Sequence, residues 1–369
     1  MTPRNAVGPA LAVVLLIGVV IALYFSVREK RAADVTARRS ATRITVRVLS
    51  GSEKEKFLAD PGLAKILDEE GMSLSVEKAG SREIATRPDL KTFDVAYPAG
   101  APAAVKIAQT TGAKRIFTSF YTPIAVASWK PLLPVLEQSG LVQAKDGSYA
   151  IDMDKLVQLM EKGTRWKDLP GNTAYSVGKS VLVTSTDVRR SNSGGMYLAL
   201  VSYIANGNNV VDNDAAADTI GERMAGLFSR QGFQESSSAG PFEDYVAMGI
   251  GKAPLVLVYE QQFLEYALAR QTVNPDMVLL YPAPTILSKH TLVALTDNGA
   301  RFAQLMTTSE KVSSIAQHYG FRSQDNTQLF SLAQARNLVV PHTVVDVIDP
   351  PSFDMLERLI GRVDAALSK

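Results

Sequence analysis

The sequence of 369 residues contains no cysteine and only three histidines. Without cysteine the chain has no thiolate nucleophile, no iron–sulfur cluster, no cysteine-ligated zinc and no lipid anchor on a cysteine. The histidines His290, His318 and His342 are far apart in the sequence and have no carboxylates at metal-ligand spacing. We therefore expect each histidine at the surface or in a loop, and we expect no bound metal.

The chain also lacks a large net charge. Its formal net charge is +2, with 21% charged and 46% hydrophobic residues, a composition that excludes a disordered, collagen-like or disulfide-stapled protein. Residues 1–43 carry seven basic and two acidic side chains, a net +5, which leaves a net −3 for residues 44–369. Because nucleic-acid-binding proteins usually present a basic face, we expect no nucleic-acid partner for this mildly acidic body.

Motifs of catalysis are missing as well. Gly178, Lys179 and Ser180 match the end of a phosphate-binding P-loop, but position 173 is a threonine where that motif has its first glycine. The residues that follow predict a strand where the motif needs a helix. No G-x-S-x-G elbow occurs, and Ser176 and Lys179 fit S-x-x-K without a later K-T-G element. We expect no enzyme activity and no cofactor.

The longest apolar run lies near the start of the chain. From Val7 to Val27 no residue is charged, and a helix of this length, at about 1.5 Å per residue, crosses a hydrocarbon core of about 30 Å. A cleaved signal peptide has a shorter apolar stretch of about 7–15 residues. We therefore expect a single-pass membrane anchor at residues 1–28 and a charged tether at residues 29–43. A small-residue sequence at 35–37 keeps cleavage open as an alternative.

The charges beside this run do not settle the orientation of the body. Arg4 precedes the run, and the basic residues Arg28, Lys30, Arg31, Arg38 and Arg39 follow it. The positive-inside tendency alone places the body in the cytoplasm, but long domains override that tendency.

The body begins with repeated strand–turn–helix units. Alternating β-branched residues predict strands at 44–49 and 73–78 and a shorter one at 93–97, with polar turns at 50–53 and 80–83 that lead into helices. Such units favour a parallel sheet covered by helices. A proline inside the predicted strand 117–129 suits a strand that leaves one sheet for another.

A second α/β block follows. Residues 132–167 are predicted to be helical with a polar break at 145–148, and strands are predicted at 181–186, 253–259, 277–281 and 292–295 before closing helices. A chain that builds two lobes and returns to the first forms a cleft between them. Ligands in such folds meet the carboxyl ends of strands and the N-termini of helices.

Polar turns at strand ends supply the candidate binding residues. The strongest candidate is the stretch 186–195, between a predicted strand and a helix, where free N–H groups, hydroxyls, an amide and a guanidinium suit a polar or anionic ligand. Its candidate residues are Arg189, Ser191, Asn192, Ser193 and Gly194. An ordinary helix cap explains each polar turn alone, but three such turns together favour one shared cleft.

Further candidates stand at the ends of other predicted strands. Tyr97, Tyr121 and Thr122 are placed to line the same cleft, and Tyr259 with Glu260 to close it from the second lobe. Packing or capping is the alternative explanation for these residues.

Several short motifs in order resemble a known family. They are SGSE at 50–53, GSREIA at 80–85, STDVRRSNSGGMYLALVSYIANG at 185–207, APLVLVYEQQF at 253–263 and SIAQHYGFRS at 314–323. Over residues 44–330 the chain is similar to the type II extracytoplasmic (periplasmic) solute-binding proteins of bacterial ABC transporters, in the branch that includes phosphate, sulfate and molybdate binders.

The resemblance implies two α/β lobes that close over a ligand by hinge motion, with lobe I at 44–122 plus 286–369 and lobe II at 123–285. It implies a body outside the cytoplasm that captures a small polar or anionic ligand for an ABC-type transporter permease or a sensor. Arg82 or Arg189 would add a charge-assisted hydrogen bond. The implied ligand contacts are Ser50, Gly51, Ser52, Ser81, Arg82, Ser191, Asn192, Ser193 and Gly194.

The chain departs from the family pattern in three places. A permanent helix replaces the usual cleaved or lipidated leader, residues 132–167 look like an extra segment over the second lobe, and Glu53 and Glu83 beside the site disfavour a dianion if they point inward. The alternative function is a non-catalytic interaction or assembly protein that keeps the solute-binding fold but has lost its ligand.

Overall fold

The structure is a computed structural model that describes residues 43–368, together with the helical positions Tyr24, Ser26 and Arg28. The predicted membrane anchor at 7–27 otherwise lies outside the described residues, as does most of the tether. Within the described part of the chain, no helix is both long enough and apolar enough to cross a membrane.

The start of the body forms the predicted strand–turn–helix units, namely β1 (Ile44–Ser50), α1 (Glu55–Leu58), α2 (Pro61–Glu69), β2 (Met72–Lys78), α3 (Ser81–Thr86), β3 (Val95–Tyr97) and α4 (Ala101–Thr111). β1 lies between β2 and β3 in the sheet, and its Val46 and Val48 are fully enclosed. It pairs in parallel with β2 and β3, Val46 opposite Leu74 and Val48 opposite Val95. The carboxyl ends of these strands therefore share one edge of the sheet.

The rest of the chain builds a second sheet and its helices, and then returns. The elements are β4 (Arg115–Trp129), α5 (Leu133–Gln138), β5 (Val142–Lys145), β6 (Ser148–Asp152), α6 (Met153–Glu161), α7 (Asn192–Ala205), α8 (Asp214–Ser229), α9 (Ala239–Met248), β7 (Val256–Tyr259), α10 (Glu260–Leu268), β8 (Met277–Ala283), β9 (Thr285–Ala294), α11 (Asp297–Thr308), α12 (Glu310–His318), α13 (Thr327–Ala335), β10 (Val347–Ile348) and α14 (Phe353–Leu367). Short 3-10 helices lie at Ser52–Lys54, Leu90–Thr92, Lys130–Leu132, Trp166–Asp168 and Gly249–Gly251.

Two long strands connect the lobes. The strand order is β2-β1-β3-β9-β4-β8-β6-β5, and β7 also pairs with β4. The first half of β4 pairs antiparallel with β9, from Arg115 to Pro123, with a register shift between Thr118 and Phe120. The second half pairs with β7 and β8. β4 thus changes sheets at the proline, as the sequence predicts, and together with β9 it forms the connection between the lobes.

Residues 132–167 differ from the predicted helical segment over the second lobe. They contain the hairpin β5–β6, and β6 joins the second sheet in parallel with β8. Asp146 and Gly147 both have positive φ, 50° and 79°, and link Lys145 to the opposing Ser148, the geometry that favours Asp-Gly in two-residue hairpin turns. The helical prediction was right at α5 and α6 and wrong at 142–152, because such short strands show too little alternation to reveal their period.

One other predicted element is much reduced. The predicted strand at 181–186 forms only an isolated bridge, between Thr184 and Val256.

The C-terminal helix packs on the second lobe. Leu356 and Leu359 of α14 belong to the apolar core that also contains the second sheet, and Arg358 donates to Asp218 of α8 at 2.7 Å. By contrast, Phe302 of α11 belongs to the core beneath β1. Residues 286–369, which the sequence groups with lobe I, therefore contribute to both cores.

Candidate functional site

The predicted turns of the two lobes face each other at close range. In the first lobe α3 follows Gly80 and α4 follows Gly100, and in the second lobe α7 follows Ser191. A Cβ added to Gly100 would lie 3.1 Å from Oδ1 of Asn192, and one added to Gly80 would lie 3.4 Å from the carbonyl oxygen of Arg190. The helix starts expected to share a cleft are thus brought together where the lobes meet.

The hydroxyls at the start of α7 are buried and bonded to one another. Oγ of Ser193 lies 2.9 Å from Oγ of Ser191 and 2.9 Å from Oγ1 of Thr186. Gly194 packs so tightly here that a Cβ would lie 2.5 Å from the carbonyl oxygen of Thr186, a separation that real Cβ contacts do not reach. This part of the predicted cradle is therefore an internal network that braces the helix start.

Asn192 reaches the end of β7. Its Nδ2 donates to the hydroxyl of Tyr259 at 2.9 Å. Burial, and next the negative charge of Glu53, raise the pKa of the Tyr259 phenol far above 10, so the hydroxyl keeps its proton. Glu53 belongs to the first lobe, and Asn192 and Tyr259 belong to the second. Glu53, Asn192 and Tyr259 therefore lie together at the interface between the lobes.

A buried lysine lies beneath Glu53. Lys54 is fully enclosed; its Nζ bonds to the Glu53 carboxylate, lies 3.3 Å from Nδ1 of His290, and lies 4.6 Å from the centre of the Tyr97 ring. Burial lowers the pKa of Lys54, opposed by the charge of Glu53. Burial and the charge of Lys54 hold the pKa of His290 well below 6.5, so this histidine is neutral at neutral pH.

Sequence reasoning missed Lys54 and His290 as members of this cluster. The expectation of a surface or loop position was wrong for His290, which is 1% exposed in the middle of β9. β9 begins at Thr285, whereas the predicted strand begins at 292. The β-branched Thr285 and Ile286 were the available signal for the longer strand.

Both arginines proposed as ligand contacts have protein partners. Arg82 donates from Nε and Nη2 to the carboxylate of Glu357 in α14, the second at 2.6 Å, and from Nη1 to the carbonyl oxygen of Val188 at 2.6 Å. Arg189 donates from Nε and Nη2 to Asp187, each at 2.8 Å, and its side chain is 46% exposed. Arg82 therefore joins the lobes, and Arg189 lies at the surface.

Tyr121 and Thr122 lie in the connection between the lobes. The Tyr121 hydroxyl accepts from Nδ2 of Asn326 at 3.2 Å, and its backbone pairs with that of Arg322. Oγ1 of Thr122 is buried and accepts from the backbone N–H of Gln261 at 3.0 Å. Both residues thus bond to other segments at the point where β4 passes between the lobes.

The first predicted turn is mostly enclosed. Ser50 is buried and donates to the carbonyl oxygen of Gly51 at 3.2 Å, and Ser81 is buried and accepts from the N–H of Ala99 at 2.8 Å. The Glu53 carboxylate folds back over Gly51, where a Cβ would collide with it. Ser52 is exposed. Of these residues, Ser52 has the side chain accessible to a solute.

A groove of about 680 Å³ opens beside this cluster. Ser52 and Glu53 line it from the first lobe, and Tyr259, Gln262 and Phe242 line it from the second. Ser52 and Tyr259 are the predicted ligand contacts that reach this space. In the described part of the chain, no group of three or more His, Asp or Glu side chains is placed to hold a metal ion. Polar side chains and aromatic rings line the groove together.

Solved structures share this architecture at low sequence identity. The substrate-binding protein of an ABC transporter from Agrobacterium tumefaciens has a TM-score of 0.56 at 14% identity, covering 89% of this chain and 95% of its own. The sulfate-binding protein SubI from Mycobacterium tuberculosis has 0.50 at 13%, covering 87% and 98%. Iron-bound HitA from Pseudomonas aeruginosa has 0.56 at 10%, covering 88% and 99%.

Comparison by sequence gave no relative: no family model matches the chain, and no curated protein does. These sequence comparisons therefore identify no family. The fold is identified by its similarity to the solved structures. The chain has the two-lobed α/β fold of the substrate-binding proteins of ABC transporters, as the sequence resemblance implied.

Proposed function

We propose that this chain is a membrane-anchored extracytoplasmic solute-binding protein without catalytic activity. It captures a small polar or anionic ligand between its lobes and passes it to an ABC-type permease or reports it to a membrane sensor. The fold supports this proposal, because proteins of the same fold include an ABC-transporter substrate-binding protein, a sulfate-binding protein and an iron-bound protein.

The groove between the lobes is the observation that carries the proposal. Its volume of about 680 Å³ falls in the range of about 300–1,000 Å³ typical of small-molecule sites. Side chains of both lobes line it, Ser52 from one and Tyr259 from the other. A solute bound there contacts both lobes at once, which is the arrangement that couples binding to hinge closure.

A thermal-shift experiment on the detergent-solubilised full chain tests solute capture. A panel of oxyanions, amino acids, amines and sugars is added at high concentration; a ligand at a hundredfold excess over its Kd stabilises the folded state by about 2.7 kcal/mol. Ser52→Trp fills the mouth of the groove and is expected to abolish the shift. Ser331→Trp, on the exposed face of α13, is the matched control. A melting temperature unmoved by the whole panel would contradict solute capture.

A second candidate function follows from the contacts that already occupy the predicted binding turns. Glu53 covers Gly51, the hydroxyls of Ser191 and Ser193 bond to each other, and Asn192 is held by Tyr259. These contacts favour a non-catalytic interaction or assembly protein that has lost its ligand.

A pull-down from solubilised membranes separates the two functions. The assembly function predicts that a protein partner is retained after Ser191, Asn192 and Ser193 are replaced by alanine, and that no solute binds. Solute capture predicts a thermal shift in the unmodified chain.

The membrane anchor at residues 7–27 and the extracytoplasmic side of the body are further parts of the proposal. Because the chain has no cysteine, one introduced cysteine reports its own accessibility. Lys145→Cys, at an exposed position before the β5–β6 turn, is expected to react with a membrane-impermeant maleimide in intact cells. Labelling only after lysis would place the body in the cytoplasm.

A further inference from the structure

Glu53 and Lys54 are neighbours in the chain whose side chains differ in exposure. Both belong to the short 3-10 helix after β1. Lys54 is fully enclosed, whereas the Glu53 side chain is 14% exposed and lines the groove between the lobes. Because the Glu53 carboxylate bonds to the Lys54 ammonium, it lies between the groove and the buried cation.

The contacts of the Lys54 ammonium favour its charged form. Its Nζ lies 3.3 Å from Nδ1 of His290 and 4.6 Å from the centre of the Tyr97 ring, so a neutral imidazole and an aromatic face both receive it. Among the described residues, Glu53 is the only carboxylate in ion-pair contact with Lys54. A buried ammonium without a counter-ion is strongly unfavourable, so the surroundings of Lys54 require one carboxylate.

Gly51 leaves the room for that carboxylate. Its backbone angles, φ −64° and ψ 148°, belong to the extended region that any residue adopts, so the backbone conformation does not require glycine here. A Cβ at this position would lie 2.5 Å from Oε2 and 2.8 Å from Cδ of Glu53. The absence of a side chain at Gly51 thus creates a space that a carboxylate fills next to the Lys54 ammonium.

The charge of this carboxylate acts on residues of both lobes. Burial, and to a smaller extent the charge of Glu53, raises the pKa of the Tyr97 phenol in the first lobe and of the Tyr259 phenol in the second. Oε1 of Glu53 also lies 3.7 Å from Nδ1 of His290. The position that Glu53 occupies is therefore shared between the lobes.

We propose that the Glu53 carboxylate is a built-in ligand. It occupies a carboxylate-binding subsite, which consists of the Lys54 ammonium and the space over Gly51, and a free carboxylate binds there when the Glu53 side chain is removed. A solute that carries a carboxylate reaches Lys54 only by displacing Glu53, so Glu53 restricts the entry of anions. The inference does not rest on solute capture, because the ligand tested is a free carboxylate.

Chemical rescue of Glu53→Ala tests the subsite. The substitution removes a CH2–COO⁻ group, whose non-hydrogen atoms are those of acetate. The detergent-solubilised full chain is melted in sodium acetate, in sodium chloride of equal concentration, and in acetamide, the neutral molecule of the same shape. At about tenfold excess over its Kd, acetate is expected to raise the melting temperature of Glu53→Ala by about 2 °C. Acetamide is expected to have no effect, and the unmodified chain is expected not to respond to acetate.

Further variants identify the buried ammonium as the binding group. Glu53→Gln keeps the space filled and is expected not to respond to acetate. Glu53→Ala combined with Lys54→Met removes both charges, so it is expected to melt at a higher temperature than Glu53→Ala and not to respond to acetate. Glu161→Ala is the matched control, because it removes the partner of the half-exposed Arg223, which water solvates without rescue.

Several outcomes would overturn the proposal. They are a Glu53→Ala chain that acetate does not stabilise, an equal effect of acetamide, and an equal effect of acetate on the unmodified chain or on the double variant. If Glu53→Ala does not fold in chloride, the yield of folded chain after refolding in acetate becomes the readout. A yield that acetate does not raise, or a double variant that also fails to fold, would contradict a subsite centred on Lys54. Solute capture is tested separately, by the thermal shift of the unmodified chain.

Discussion

Arg82 and Glu357 form a bidentate ion pair between the first lobe and the C-terminal helix. The guanidinium of Arg82 lies at the start of α3, and the carboxylate of Glu357 lies on α14, which packs on α8 of the second lobe. The same guanidinium donates to the carbonyl oxygen of Val188. Arg82 thus bonds to residues of the second lobe and of the C-terminal helix, and its role as a ligand contact stays a prediction.

Replacing Arg82 by glutamine is expected to loosen this contact. The variant loses charge-assisted hydrogen bonds of a partly buried pair, so we expect unfolding free energy to fall by about 1–2 kcal/mol and the radius of gyration in small-angle X-ray scattering to rise. Arg115→Gln is the control, because Arg115 pairs with Asp297 inside the first lobe. An unchanged scattering curve for Arg82→Gln would show that this pair does not hold the lobes.

Asn192 and Tyr259 are expected to act as one unit. Their hydrogen bond of 2.9 Å positions a tyrosine that lines the groove. A double-mutant cycle with Asn192→Ala and Tyr259→Phe is expected to give a coupling of about 0.5–1.5 kcal/mol in urea unfolding. Asn192→Ala is expected to weaken solute binding severalfold, whereas Asn206→Ala in a surface turn is not. Additive single effects would argue against the coupling.

The buried pair Glu260–Arg322 is expected to contribute strongly to the stability of the fold. Both side chains are almost fully buried, with Nε of Arg322 donating at 2.6 Å and the Tyr281 hydroxyl at 2.7 Å to the Glu260 carboxylate. Glu260→Gln leaves the guanidinium without its counter-charge, at an expected cost of about 3–5 kcal/mol in urea unfolding.

The control for Glu260→Gln is Glu161→Gln, which removes the partner of the half-exposed Arg223. Its expected cost is about 0–1 kcal/mol. If the two variants lost equal amounts of unfolding free energy, the burial of the Glu260–Arg322 pair would add nothing to its contribution to stability.

His290 is expected to make the protein less stable in mild acid. Burial holds the pKa of His290 well below 6.5 in the folded chain, whereas the unfolded side chain titrates near its usual value. As the pH falls below about 6.5, the unfolded state gains a proton that the folded state does not, so unfolding free energy falls by up to about 1.4 kcal/mol per pH unit.

Urea unfolding at about pH 7 and about pH 5.5 measures this loss of unfolding free energy. In His290→Gln we expect no such loss between the two pH values. A variant with the same pH dependence as the unmodified chain would contradict the assignment to His290.

Local patterns in the sequence predicted the architecture well. The strand–turn–helix order at 44–111 depends on alternation and turn residues that act within a few positions, and Pro123 marked the strand that changes sheets. The start of α7 after Ser191 follows from the same local rules. These features are set by neighbours in the chain, so one sequence suffices to predict them.

The orientation of the candidate side chains was not predictable in the same way. Arg82 and Glu357 are 275 positions apart, and Lys54 and His290 are 236 apart. Partners at such separations meet only through the fold, so a local motif cannot show whether a polar side chain faces a ligand or another residue. The groove likewise combines residues of α1, α9 and α10 that no single motif contains.

Native mass spectrometry of the detergent-solubilised full chain, purified from the cells that make it, tests solute capture most directly. The account predicts a non-covalent small-molecule adduct on the unmodified chain and on Ser331→Trp, and its loss from Ser52→Trp. A bare protein mass, together with a melting temperature that no solute moves, would contradict the account and favour the assembly function.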